Sequence, residues 1–317
     1  MEGLVGDIGG THARFALTAA GEVREPRTYN NRDFDSLEEV IAAYMRESQP
    51  ARSPQAAVLA VAGPVTDGAI RFTNLDWKVS EERLRREAGF SVARLINDFA
   101  AQALGAPRTP DSGLLRVGPQ TSGAHDASLA VMGPGTGFGV AALARDGGRE
   151  MVLATEGGHA GFAPGDELEV EVWRWFSRRL PRVSIERVLS GPGLYELYCA
   201  LAEIRGEPLG LRDQRQVQAA AETGDELAAV TVDRFCAILG STAGDIALGL
   251  GARGGVYLTG GVAQGLADRI AAGGFRQRFE AKGPFEGYMR AIPTWVIKAP
   301  YIALIGAALV LQNLEPA

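Results

Sequence analysis

The sequence predicts an α/β protein made of two halves with a cleft between them. Three observations predict it. Short apolar strands alternate with helical patterns along the chain. A strand, a glycine-rich turn and a second strand occur at residues 4–17 and again at 128–144. Between these, Pro107 and Pro110 punctuate the chain where a domain boundary is expected. The 317 residues, 46% of them hydrophobic, provide enough apolar surface for two cores.

Each element has a local reason. The first strand, Leu4 to Ile8, ends in Gly9-Gly10, and a second follows at about Ala13 to Leu17, which reads as a hairpin. Ser36 is placed to cap a helix over 36–48, with Glu38 and Glu39 in its first turn. Residues 56–62 form a buried strand ended by Gly63-Pro64. Ser80 opens a helix through Ala88, and Val92 to Ile96 is a strand. Asn97-Asp98 then opens a helix through about Leu104. In the second half, strands at 128–133 and 140–144 flank a PGTGFG turn. A charged helix at about 166–180 keeps Trp173, Phe176 and Leu180 at helical spacing. Further helices are expected at 192–205, 213–222 and 225–249. Residues 254–259 form a strand followed by Gly260-Gly261 and a helix; 294–298 is a strand, and 301–313 an apolar helix. No period of 20–50 residues marks a solenoid.

Charge and cysteine usage exclude several classes. Lys and Arg number 32 against 38 Asp and Glu, a net charge of −6, with no long basic run. That disfavours nucleic acid and anionic membrane as partners. Cys199 and Cys236 form no CxxC, so a disulfide framework or Cys-rich zinc site is not expected, and a reducing cytosol fits. The opening MEGLVGDIGG lacks the basic region of a signal peptide. The apolar run Tyr301 to Leu311 is short of the ~18 residues that span a bilayer. Glycine is abundant, 41 residues, or nearly twice the usual ~7%, which directs attention to backbone-built sites.

Familiar nucleotide signatures fail. None of Lys78, Lys282 and Lys298 follows a glycine, so no P-loop is present. Gly249, Gly251 and Gly254 spell GxGxxG, but a helix precedes them and a strand follows, the reverse of a dinucleotide fingerprint. His12, His125 and His159 lack metal-ligand spacing.

Six other segments carry chemistry. In GDIGGTHAR, residues 6–14, glycines after an apolar strand let backbone N–H groups approach phosphate oxygens. Thr11 adds a hydroxyl donor, and Asp7 is placed to hold Mg²⁺ through water. An ordinary glycine hairpin is the plainer reading. GPGTGFG, residues 133–139, has four alternating glycines, more than a two-residue turn needs, and suits a second phosphate cradle around Thr136. A flexible hairpin is its alternative. LTGGVAQG, residues 258–265, would let a base or ribose approach the backbone, although strand-Gly-Gly-helix is also ordinary packing. In LINDFAAQALG, residues 95–105, Asn97-Asp98 sits at a strand's carboxyl end, where α/β sheets collect ligands. Asp98 equally suits a helix N-cap. Glu156 and His159 in TEGGHAGFAP suit a polyhydroxylated ligand, since a carboxylate accepts from adjacent hydroxyls. Glu186 in SIERVLSGPG is either a second such acceptor or a helix-start residue.

Taken in this order, the segments resemble the bacterial glucokinase family, within the sugar kinase, actin and heat-shock-chaperone ATPase superfamily. The resemblance runs from residue 4 to about 311 and includes AVAGPVTDG with FTNLDW, INDF, EGGHAGFAP and ERVLSGPGLYELY. GDIGGT is shared across the superfamily; EGGHxxFAP together with INDF is far more specific. The resemblance implies two ribonuclease-H-like (actin-like ATPase) domains with an interdomain cleft. The small domain would be 1–108 plus 299–317, and the large domain 109–298. It implies that Gly6, Asp7, Ile8, Gly9, Gly10 and Thr11 hold ATP phosphates. Gly133, Gly135, Thr136 and Gly137 would form the second phosphate loop, and Gly260 and Gly261 would face the adenosine. Asp98 would be the catalytic base. Asn97, Glu156, His159 and Glu186 would hold sugar hydroxyls with Asn74 nearby. With no cysteine near His159, the chain is similar to the zinc-free branch rather than the related ROK branch. The implied activity is phosphorylation of glucose at its 6-hydroxyl by ATP with Mg²⁺, in a cytoplasmic homodimer feeding glycolysis. A kinase for mannose or fructose, or a sugar-sensing regulator, is the alternative.

Overall fold

The structure, a computed structural model, describes residues 2–72 and 75–314. Its contacts divide the chain into two units, one running to Thr109 and resuming at Ala299, the other Pro110–Lys298.

The first unit contains, in chain order, β1 (Gly3–Ile8), β2 (His12–Ala19), β3 (Glu22–Asn30), α1 (Leu37–Ser48), β4 (Ala56–Val61), β5 (Ala69–Arg71), β6 (Lys78–Ser80), α2 (Glu81–Glu87), β7 (Val92–Asn97) and α3 (Asp98–Gly105). Ser36 and Ser80 cap α1 and α2, each accepting from a backbone N–H three residues on. The sheet order is β3-β2-β1-β4-β7, with β1, β4 and β7 parallel.

The second unit contains β8 (Leu114–Val117), β9 (Leu129–Pro134), β10 (Phe138–Asp146), β11 (Arg149–Thr155), α4 (Glu167–Ser177), α5 (Ile185–Val188), α6 (Gly191–Arg205), α7 (Gln214–Glu222) and α8 (Glu226–Leu250). It continues with β12 (Gly255–Leu258), α9 (Gly261–Gly265), α10 (Ala267–Ala272), α11 (Gly274–Glu280), α12 (Glu286–Arg290) and β13 (Thr294–Ile297). Its sheet order is β11-β10-β9-β12-β13-β8. The last helix, α13 (Ile302–Gln312), belongs to the first unit.

Side-chain alternation assigns the two faces of the first sheet. Leu4, Ile8, Phe15 and Leu59 pack with Leu37, Val40 and Tyr44 of α1. Val5, Ala16 and Val58 on the other face pack with Leu304, Ala307 and Leu311 of α13. Each large apolar side chain buried this way contributes about 1.5–3 kcal/mol. α3 and α13 approach so closely that a Cβ on Gly306 would strike the Ala101 carbonyl. In the second unit Met132, Val140 and Val256 share a core with Leu194 and Leu197 of α6 and Phe235 and Leu239 of α8. α8 is long and apolar enough to cross a membrane, yet 67% of its most apolar stretch is buried in the unit's core. It packs on α6, α7 and α11.

The structure adds elements that periodicity does not reveal. β3 and β11 are sheet-edge strands, exposed along most of their length, so they show no apolar alternation. The 166–180 helix ends at Ser177, and the helix after Gly260-Gly261 divides into the short α9, α10 and α11. The PGTGFG turn is shorter than the six residues expected. Gly133 and Gly139 are paired strand residues, and only Gly135, Thr136 and Gly137 form the turn.

Candidate active site

In the first unit, the parallel register places Ile8 beside Val61 and Val61 beside Asn97. The carboxyl ends of β1, β4 and β7 therefore carry the 9–11 turn, Ala62-Gly63 and Asn97-Asp98 along one sheet edge, where open α/β sheets bind ligands. Two hydrogen bonds hold these segments together. Ala62 N–H donates to the Ile8 carbonyl at 3.0 Å, and Asn97 Nδ2 donates to the Gly63 carbonyl at 3.2 Å.

The helix cap here is Asn97 rather than Asp98. Asn97 Oδ1 accepts from Ala100 N–H at 3.0 Å, so its amide is engaged at both ends. Asp98 is the first residue of α3, half-buried, with Oδ1 accepting from Phe99 N–H at 2.9 Å.

Asp7 lies opposite Arg14 in the hairpin, and Arg14 Nη1 donates to its carboxylate at 3.0 Å. Burial pushes the Asp7 carboxyl above its ordinary value, while the Arg14 charge and hydrogen bond pull against it. Sequence reasoning passed over Arg14 as a contact of Asp7. Gly9 N–H donates to the His12 carbonyl at 3.0 Å, so Gly10-Thr11 closes the hairpin, and that even-numbered turn sets the register that pairs Asp7 with Arg14. Asn31, just beyond β3, was also missed: its N–H donates to the Thr11 carbonyl at 2.9 Å and its Nδ2 to the Gly9 carbonyl at 2.8 Å. No sequence signal marks it, because the strand it follows has no apolar pattern.

In the second unit, four segments converge. The turn between β9 and β10 is closed by Gly135 N–H donating to the Gly137 carbonyl at 2.8 Å. The N-terminus of α6 holds it from one side, Gly191 N–H donating to the Gly135 carbonyl at 2.8 Å. Glu186, in the first turn of α5, holds it from another. Its Oε2 accepts from Phe138 N–H at 2.9 Å, and it lies so close to Gly137 that a side chain there would strike the carboxylate. Residues 160–162 run beside 183–185, with Phe162 N–H donating to Val183 O at 3.1 Å and Ile185 N–H to Ala160 O at 2.9 Å. This brings His159 Nδ1 to 4.0 Å from Glu186 Oε1. His159 and Glu156 are exposed, and the His159 N–H donates to the Glu156 carbonyl at 3.0 Å.

The adjacent parallel strand adds the last piece. Leu258 pairs with Met132, and Thr259 N–H donates to the Met132 carbonyl at 2.9 Å. Gly260 and Gly261 therefore lie at the same sheet end as Gly133, with Gly260 packed on the Pro134 carbonyl. So Gly133, Gly135, Thr136, Gly137, Glu156, His159, Glu186, Gly260 and Gly261 are gathered at one end of this sheet. Gly6, Asp7, Ile8, Gly9, Gly10, Thr11, Asn97 and Asp98 are gathered at one edge of the other. Asn74 lies outside the described residues.

Among the described residues no cluster of three or more His, Cys, Asp or Glu side chains could hold a metal. A single carboxylate beside a glycine turn, as at Asp7, is compatible with Mg²⁺, which keeps several waters and needs few protein ligands.

Two α/β units that share one strand order, together with the likeness to a solved structure given below, define an actin-like ATPase fold of the ribonuclease-H type. The chain belongs to the glucokinase family, whose model matches residues 4–314. A glucokinase of Caulobacter sp. (strain K31) is 52% identical over 311 residues, covering 96% of this chain and 94% of that protein. A glucokinase of Chromohalobacter salexigens is 42% identical over 314 residues, covering 98% of each. The crystal structure of a glucokinase from an Antarctic psychrotroph matches with a TM-score of 0.88 at 37% identity, covering 99% of each chain.

Proposed function

We propose that the protein is an ATP-dependent glucokinase that transfers the γ-phosphoryl group of ATP to the 6-hydroxyl of glucose. The observation that carries this reading is the Glu186 carboxylate, which touches the Gly135–Gly137 turn with one oxygen and lies near His159 with the other. A hydroxyl-accepting group built against a phosphate-type turn is what a sugar kinase needs.

In this reading Asp98 accepts the proton of the 6-hydroxyl as that oxygen bonds to the γ-phosphorus and the bond to ADP breaks. Phosphoryl transfer calls mainly for positioning and charge neutralisation. Backbone N–H groups of the 9–11 and 135–137 turns provide preorganised donors for the phosphates. Asp7 would hold Mg²⁺, which would supply further neutralisation of phosphate charge. Glu156, His159 and Glu186 hold sugar hydroxyls, joined by Asn74 and by the remaining N–H of Asn97. Gly260 and Gly261 give the adenosine a surface free of side chains. The two free cysteines suit a reducing cytosol, and a homodimer is the assembly the family resemblance suggests.

Glucose-dependent ADP formation in a coupled assay tests the reaction. Comparing kcat/KM for glucose, mannose and fructose tests the substrate. A higher value for mannose or fructose overturns glucose as the substrate, and the absence of sugar-dependent ADP release overturns the kinase.

A further inference from the structure

The turn at residues 9–11 is gripped from below by one residue. Asn31 is 1% exposed, and it reaches the turn twice. Its backbone N–H donates to the Thr11 carbonyl at 2.9 Å, and its side-chain Nδ2 donates to the Gly9 carbonyl at 2.8 Å. In a trans peptide the C=O and the N–H point to opposite sides of the chain. The Gly9 carbonyl belongs to the same peptide as the Gly10 N–H. Fixing that carbonyl on Asn31 therefore turns the Gly10 N–H away from the buried amide. Gly10 and Thr11 are themselves exposed, so this N–H faces the open side of the turn.

The position of Asn31 is itself secured. It opens a 3₁₀ turn over 31–33, in which Asn30 Oδ1 accepts from Arg32 N–H at 3.1 Å and Phe34 N–H donates to the Asn31 carbonyl at 3.3 Å. One feature argues against a purely structural amide. Asn31 Oδ1 is buried without a hydrogen-bond donor among the described residues. A buried unpaired acceptor costs stability, and an apolar side chain avoids that cost. What only the amide provides is the N–H that holds the Gly9 carbonyl.

We infer that Asn31 is a positioning residue for the nucleotide: it aims the Gly10 N–H at an ATP phosphate oxygen. The inference rests on the 9–11 turn being the phosphate turn of the proposed kinase. The test uses the full chain with Asn31→Ala and Asn31→Asp, the latter close in shape but lacking the N–H donors. The backbone tether to Thr11 survives both changes. KM for ATP, at saturating glucose, should rise about 3–10-fold, the value of one hydrogen bond. KM for glucose should stay within about twofold. Thr11→Ala serves as the companion arm. If Thr11→Ala raises KM for ATP and neither Asn31 variant does, the Asn31 inference is overturned while the phosphate turn stands. If none of the three moves KM for ATP, the phosphate-turn reading itself is overturned. A rise in both KM values together, or failure of both Asn31 variants to fold, makes the residue structural and overturns the inference.

Discussion

Asp98→Asn preserves the size of the side chain and removes its basicity. A general base is worth about 10²–10⁴-fold in rate, so kcat should fall by that factor while glucose affinity changes by only a few-fold. A coupled assay together with glucose titration followed by intrinsic fluorescence checks both halves of the expectation. Glu186→Ala should act differently. It removes a proposed sugar contact and leaves the Phe138 N–H without its acceptor, a loss of about 1–3 kcal/mol. KM for glucose should rise by about tenfold or more, and KM for ATP should rise with it because the 135–137 turn loses a tether. Initial-rate kinetics varying each substrate in turn decides this; an unchanged KM for ATP would contradict the tether. Glu156 and His159 stand out in the sequence as polar residues flanking two glycines in a loop, whereas Asp98 and Glu186 each suit a helix start equally well and are singled out only by the family resemblance. The division of labour at 97–98 was not legible. Either residue type caps a helix, and only the backbone shows that Asn97 does so, leaving Asp98 one place further on.

At the scale of elements, α4 shows how the segment following His159 is anchored. Asp166 caps α4 and, with the fully buried Glu169, meets Arg234 of α8 and Arg278 of α11. Glu169 also accepts from Gly165 N–H at 2.7 Å. Burial tends to raise the Asp166 carboxyl, but the Glu169 N–H and Arg234 outweigh it and hold it below its ordinary 3.8. A carboxyl lowered on folding stabilises the fold above its unfolded value, and that contribution is lost as pH falls through the folded value. Asp166→Asn retains a capping side chain and removes the charge. The variant should be less stable than the parent at pH 7, and the difference should shrink as pH falls below 3.8. Urea midpoints across that range provide the measurement. Helices and central strands were legible, since caps and apolar periods are local. β3 and β11 were not, because edge strands are set by pairing with a neighbour and their own faces remain wet.

At the scale of the whole molecule, the two sheets repeat one plan. The order β3-β2-β1-β4-β7 recurs as β11-β10-β9-β12-β13, with β8 added at the edge. The sequence shows the repeat only at 4–17 and 128–144, where both copies need a glycine turn at the end of a buried strand. The remaining elements satisfy only packing, which many sequences do. The first sheet depends on α13, whose Leu304 is fully buried. Leu304→Ala should cost about 2–5 kcal/mol, seen as a lower urea midpoint with an unchanged slope. The return of α13 also bears on biosynthesis. β1 leaves the ribosome well ahead of α13, and the helix that covers Val5, Ala16 and Val58 emerges only after all of Pro110–Lys298. At roughly 5–20 residues per second, that interval lasts roughly 10–40 s. Throughout it the nascent chain carries an uncovered apolar sheet face, a natural binding site for chaperones, so the unit begun before Pro110–Lys298 is completed only after it.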